Sequence, residues 1–309
     1  MLLGGTAAAF AITEKLKLEK TPITSPDITK AFSPLSEQRG TATVDFKLRK
    51  SDRITVEIVH GDETVATLAT GVHFPRGPVH LIWDGRDESG QLVPEGLYKP
   101  RVHLDRARRT IVMPNPIRVD LTAPRVSIAS VRPKVISPDH DGRAEFARVR
   151  FRVNEAARAL LVVDGRQQGR ACPIVRGRTF CRRLERRGGK LNWFGKVDER
   201  PLRPGLYTIS LRAEDGAGTV SPDSRGVRVR IRYVDLPRNV IRVGPNRRFR
   251  VRVDTDARRV TWRLGGRSRQ VSGKTLRLRS PKVPGRYVLF VTANGHGDRA
   301  TVVVRRQSK

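Results

Sequence analysis

Asp139, Asp141 and Glu145 stand in the run Asp-His-Asp-Gly-Arg-Ala-Glu. Alternate carboxylates around a glycine are the residue types that hold Ca²⁺ through oxygen ligands. The run lacks the five or more ligand positions, and the glutamate at the twelfth, that a helix–loop–helix calcium loop requires. It also reads as an Asp/Gly turn whose carboxylates cap its own amides. Two expectations therefore stand side by side: a Ca²⁺ site at Asp139, Asp141 and Glu145, or a self-capped turn. No other cofactor is expected.

Cys172 and Cys181 enclose a stretch whose midpoint falls between Arg176 and Gly177. A two-residue turn there pairs Val175 with Arg178, Ile174 with Thr179, and the cysteines with each other. On a non-hydrogen-bonded pair the Cα atoms lie about 4.5 Å apart, within a disulfide's reach. A Cys172–Cys181 bond persists only in an oxidising compartment. Two buried free thiols on neighbouring strands are the alternative.

Other chemical signals fail on spacing. Gly273-Lys274-Thr275 ends a run with Ser268 where a phosphate loop needs glycine. Strands flank it on both sides, where that loop needs a strand and a helix, so it reads as a hairpin turn. The six histidines show no His-Glu-x-x-His spacing, and no Gly-x-Ser-x-Gly elbow occurs. No catalytic residue is assigned, and the chain is read as non-enzymatic.

The charge balance is lopsided: 62 Lys and Arg against 30 Asp and Glu give a formal +32 over 309 residues. Such a surface attracts polyanions, most strongly at low salt. Aromatics make up only 6% of the chain, and the clearest ones read as core. Stacking platforms for single-stranded nucleic acid are therefore poorly supported, and no recognition-helix or zinc-finger pattern occurs. A composition bias toward arginine on solvated strand faces, with no specific ligand, is the competing reading.

The elements that position these residues are strands. From residue 40 onward apolar and polar residues alternate, as in Thr43-Val44-Asp45-Phe46-Lys47-Leu48 and Arg148-Val149-Arg150-Phe151-Arg152-Val153. The runs Val227–Arg232 and Arg248–Val253 continue the pattern. Alternation sends Val, Ile and Phe to one face of a sheet and Arg to the other, the mark of half-buried antiparallel strands.

The chain also repeats itself. Phe32-Ser33-Pro34 opens one unit and Ile136-Ser137-Pro138 a second. Each reaches a tryptophan followed by a turn, at Trp83 and Trp193, and then a Pro/Gly turn before Tyr98 and Tyr207. Val283-Pro284-Gly285-Arg286-Tyr287 is a third copy of that last element. A tyrosine after such a turn suits a corner in which its ring joins the core and its hydroxyl bonds back to turn backbone. The predicted organisation is an N-terminal segment (1–24) and three sandwich modules at 25–122, 123–234 and 235–309. Pro-bearing linkers, Asp120–Pro124 and Asp235–Arg238, stiffen the joints. Leu2–Ile12 is apolar and about the length of a signal-peptide apolar region, too short to span a bilayer. It is expected as a short helix that is a leader or an anchor, with a frayed terminal helix of no targeting role as the competing reading.

Ser-Pro, an alternating strand, Trp83-Asp84-Gly85-Arg86-Asp87-Glu88-Ser89-Gly90 and Val93-Pro94-Glu95-Gly96-Leu97-Tyr98 together resemble the FlgD-type Ig-like domain. That module is named after the flagellar hook-capping protein and occurs in bacterial secreted and surface proteins. The resemblance spans about residues 32–104 and again about 136–215. Ser137-Pro138-Asp139-His140-Asp141-Gly142 is similar to the family's opening. The second copy departs at Phe194, where the family carries aspartate; the first departs at Leu35–Arg39, where the acidic turn is lost. The third module matches only at its Pro-Gly-Arg-Tyr element.

The fold class expected is all-β: tandem Ig-like or fibronectin-III-like antiparallel sandwiches. The function expected is that of a non-catalytic, extracytoplasmic structural or interaction protein at the cell envelope, secreted or anchored at the surface. Its expected partners are other envelope proteins, anionic cell-wall polymer or lipid headgroups. A basic nucleic-acid-binding protein and an accessory subunit of a separately encoded secreted enzyme are the alternatives.

Overall fold

The computed structural model describes residues 21–169, 174–175, 178–179 and 183–305. The Leu2–Ile12 segment and the Cys172–Cys181 pair lie outside these residues. Between the cysteines, Ile174 pairs with Thr179 and Val175 with Arg178 in an antiparallel bridge. The described residues are about 60% strand and contain no helix. No helix among them is long and apolar enough to cross a membrane.

The chain divides into two compact units: residues 1–123 with 215–220, and residues 124–214 with 221–309. In the first, a three-stranded sheet is built from Ile23–Ile28, Ala42–Leu48 and Gly77–Trp83. The larger sheet runs Ala31–Phe32, Ile117–Val119, Gly96–Leu104, Asp52–His60 and Glu63–Phe74 in spatial order, with Arg109–Val112 paired to Gly96–Leu104. The strict alternation of Ala42–Leu48 buries Ala42, Val44, Phe46 and Leu48. These meet Ile54, Val56, Ile58, Val102 and Leu104 of the larger sheet in one apolar cluster. The turn Asp215–Val220 belongs to this unit: Asp215 Oδ1 accepts from the amides of Ala217, Gly218 and Thr219, and Arg39 donates to the Gly216 carbonyl at 2.6 Å.

The second unit holds two further apolar clusters. One lies under a three-stranded sheet of Val126–Arg132, Ala147–Val153 and Gly188–Trp193. Its partner sheet is ordered Val135–Ile136, Val227–Ile231, Gly205–Asp215, Ala157–Val163 and Arg166–Gln168. The other lies between a two-stranded sheet, Arg248–Arg252 with Thr275–Arg279, and a five-stranded sheet. The latter is ordered Val240–Val243, His296–Val304, Gly285–Ala293, Arg259–Leu264 and Arg267–Ser272. The sequence thus makes three cores but two compact units.

The aromatic landmarks are placed by the same local chemistry each time. Tyr98, Tyr207 and Tyr287 donate their hydroxyls to the carbonyls of Pro94, Arg203 and Val283, each four residues earlier, at 2.7, 2.8 and 2.9 Å. Trp83 and Trp193 are buried, and each indole N–H donates to the carbonyl three residues on, at Arg86 and Lys196. Trp83 lies 5.2 Å from Tyr98 and Trp193 lies 5.9 Å from Tyr207, centroid to centroid. The third core has no such pair; Trp262 packs at its edge, half-buried.

The structure departs from the sequence expectation at the Ser268–Thr275 segment. Gly273-Lys274 does not close a hairpin. The strand before it, Arg267–Ser272, pairs with Arg259–Leu264, and the strand after it, Thr275–Arg279, pairs with Arg248–Arg252. The chain crosses from one sheet to the facing one. Alternation marks both strands but does not say which neighbour each will pair with.

Candidate functional site

The net charge is not spread evenly. Residues 25–122 hold 14 Lys and Arg against 13 Asp and Glu. Residues 123–234 hold 25 against 11, and residues 235–309 hold 20 against 4. Strand register then concentrates the cations. In the three-stranded sheet of the second module, Arg132 lies opposite Arg148 and Arg150 opposite Lys190. In the two-stranded sheet of the third, Arg248 faces Arg279 and Arg250 faces Arg277. All of these side chains are exposed. Like charges directly opposite each other destabilise a sheet.

Nearby acids do not neutralise these ladders. Among the described residues, Arg132, Arg148, Arg150, Arg152, Lys190, Arg248, Arg250 and Arg277 form no ion pair within 4.0 Å. Arg252 does pair, with Asp254 at 2.8 Å, and Arg279 reaches the Asn246 amide oxygen at 3.3 Å. Arg148 rests over the Phe146 ring, 5.5 Å from its centroid. Arg132, Arg148, Arg150 and Phe146 line an open groove of about 820 Å³, with Glu145 on its wall. Guanidinium groups at this density bind planar oxyanions through paired N–H donors.

At that wall lies the acidic loop. The structure brings Asp139, Asp141 and Glu145 together, with a carboxylate oxygen of each within 4.8 Å of the others. The loop winds tightly because His140, Gly142 and Ala144 take positive φ. Glu145 accepts from the amides of His140 (3.1 Å) and Gly142 (2.8 Å), and Asp141 accepts from the amide of Arg143 (2.8 Å). Self-capping therefore uses part of the carboxylate capacity. Ser137, buried, donates to Asp139 Oδ2 at 3.3 Å. Asn294, from the third module, donates to Asp139 Oδ2 at 3.1 Å and to Asp141 Oδ2 at 3.2 Å.

Asp256 also faces this loop. Burial, first, and the charges of Asp139 and Asp141 raise its pKa, while Ser137 opposes the shift. No hydrogen bond of good geometry reaches either of its buried oxygens. Sequence reasoning finds neither Asp256 nor Asn294, because nothing in the local pattern links them to a loop more than a hundred residues away. The cysteine pair, the remaining candidate, lies outside the described residues.

No protein-family model and no curated protein matches this chain. Among solved structures it is similar to the fibronectin(III)-like modules of Clostridium thermocellum CbhA, with 17% identity and a TM-score of 0.33, over 68% of this chain and 91% of that one. It is similar to the I9–I11 tandem of titin, with 12% identity and a TM-score of 0.31, over 92% and 100%. A third is SGBP-B of the Bacteroides ovatus mixed-linkage glucan utilization locus, with 13% identity and a TM-score of 0.22, over 94% and 69%. The chain is an all-β protein of Ig-like and fibronectin-III-like sandwich modules in series, as its own sheets define.

Proposed function

We propose that this is a non-catalytic structural and binding protein of the cell envelope, built from FlgD-type Ig-like modules, whose second and third modules hold anionic polymer on arginine ladders. One observation carries the reading: cations face cations across paired strands, Arg150 with Lys190 and Arg250 with Arg277, and among the described residues no acid lies within 4.0 Å of them to form an ion pair. A fold gains nothing from such a register in isolation. A polyanion lying along the strands would relieve the repulsion and supply affinity together. Cations two residues apart on a strand stand about 6.6–6.8 Å apart, so a strand presents a regular charge row. The low aromatic content favours a saccharide-phosphate or uronate polymer over single-stranded nucleic acid, which wants stacking rings.

The test uses the whole chain and a soluble polyuronate, polyphosphate, or duplex DNA of matched charge. Binding to the first two should fall steeply with salt and be lost near 0.5 M, where screening shortens to about 4 Å. Binding that survives 0.5 M salt would overturn the charge mechanism. Preference for DNA at every salt concentration would replace the envelope reading with the nucleic-acid one.

A further inference from the structure

In a chain with about two cations per anion, Asp139, Asp141, Glu145 and Asp256 are conspicuous for what they do not do. Among the described residues none of the four forms an ion pair within 4.0 Å. Arg143 is at hand, but its guanidinium donates to the backbone carbonyl of Asp256 at 3.2 Å and not to a carboxylate. The Asp139 Oδ1 atom and both Asp256 carboxylate oxygens are shielded from solvent and receive no hydrogen bond of good geometry, although the Ser137 hydroxyl stands close enough to favour the Asp256 carboxylate. A shielded carboxylate oxygen without counter-charge or a well-aligned donor is costly, so such oxygens occur where something positive belongs.

We propose that the Ser137–Glu145 loop and Asp256 together form a Ca²⁺ site that ties the second module to the third. The donor set is all oxygen, which selects a hard cation over a transition metal. Asp139 Oδ1 and the two Asp256 oxygens supply unshared lone pairs. Asp141 and Glu145 keep lone pairs beyond the amides they accept, since each carboxylate has about four acceptor sites. Asn294 turned about its terminal bond presents an amide oxygen to the same centre where it now presents hydrogens. Water completes the six to eight ligands that Ca²⁺ takes. The ligands come from residues 139–145 on one side and 256 and 294 on the other. Binding therefore fixes the two modules of the second unit against each other.

The experiment titrates the chelator-treated full chain with Ca²⁺ by calorimetry and follows thermal unfolding with Ca²⁺ or with EDTA. One Ca²⁺ should bind per chain, with a raised unfolding temperature. Asp256→Asn should weaken binding at least about tenfold, the scale of losing one charged group at a metal site. It should also unfold later than wild type in EDTA, because it removes an uncompensated buried charge. A merely structural Asp256 would not give opposite signs in the two conditions. Asp141→Asn provides a second variant, and Asp198→Asn, on an exposed turn, should bind as wild type. No saturable binding up to about 10 mM, beyond the weakest extracellular calcium modules, would overturn the proposal. So would an Asp256→Asn chain that binds with unchanged affinity.

Discussion

The middle strands of the first and second modules, Ala42–Leu48 and Ala147–Val153, share an inside and differ outside. Inward they read Ala42, Val44, Phe46, Leu48 and Ala147, Val149, Phe151, Val153, all buried. Outward they read Thr43, Asp45, Lys47 and Arg148, Arg150, Arg152. Across the sheet Asp45 meets His80 at 2.5 Å, while Arg150 meets Lys190. Packing constrains the inner face, because each methylene there is felt by its neighbours. Nothing in the sandwich dictates the outer face. The cations of the second module are therefore not required by the packing of the fold.

If the two inner faces are equivalent, Phe46→Ala and Phe151→Ala should each cost about 3–5 kcal/mol in denaturant unfolding. A difference above about 2 kcal/mol between them would break the equivalence. The strands that pair with them each begin at a glycine, one register position apart: Gly77 lies opposite Leu48 and Gly188 opposite Arg152. Gly77 and Gly188 both take positive φ, but a Cβ on Gly77 meets open space, whereas one on Gly188 runs into the Phe151 carbonyl oxygen. Gly188→Ala should therefore lose about 1–3 kcal/mol more than Gly77→Ala, read from urea midpoints.

Outer-face changes should be smaller. Arg148→Thr with Arg150→Asp copies the first module and should stabilise the chain by about 0.2–1 kcal/mol per relieved pair at low salt. The gain should shrink as salt screens it. An unchanged melting temperature at low salt would mean the guanidinium groups already avoid each other.

The smallest effect expected is a pH slope in the first unit. Burial raises the pKa of Asp120 above its ordinary 3.8, while the Arg118 guanidinium, 2.9 Å away, opposes the shift. A raised carboxyl pKa favours the protonated folded form. That contribution is fully present below pH 3.8 and is lost as pH rises through the raised value. The difference in stability between wild type and Asp120→Asn should change over that window and be flat above it. A difference that is flat throughout would contradict the assigned burial.

Much of this was legible because alternation is a statement about faces. Val149, Phe151 and Val153 declare the core, and Arg148, Arg150 and Arg152 the surface, before any partner strand is known. The tyrosine corners were legible because the proline-glycine turn and the ring lie within four residues. Partnership was not legible. That Arg250 would face Arg277, that Gly273-Lys274 would cross between sheets, and that Asp256 and Asn294 would close over the Asp139 loop depend on register between distant segments. Segment 215–220 joined the first unit for the same reason: a turn's pattern does not name what it packs on.

The sharpest measurement transplants one face onto the other. Arg148→Thr, Arg150→Asp, Arg152→Lys and Lys190→His together give the second module the outer residues of the first while leaving its core untouched. Binding of the full chain to soluble polyuronate is then measured across a salt series. Affinity at low salt should fall at least about tenfold, with a shallower salt dependence, since fewer counterions are exchanged. Equal affinity and an equal salt slope for the two proteins would mean that the arginine ladder of the second module plays no part in binding.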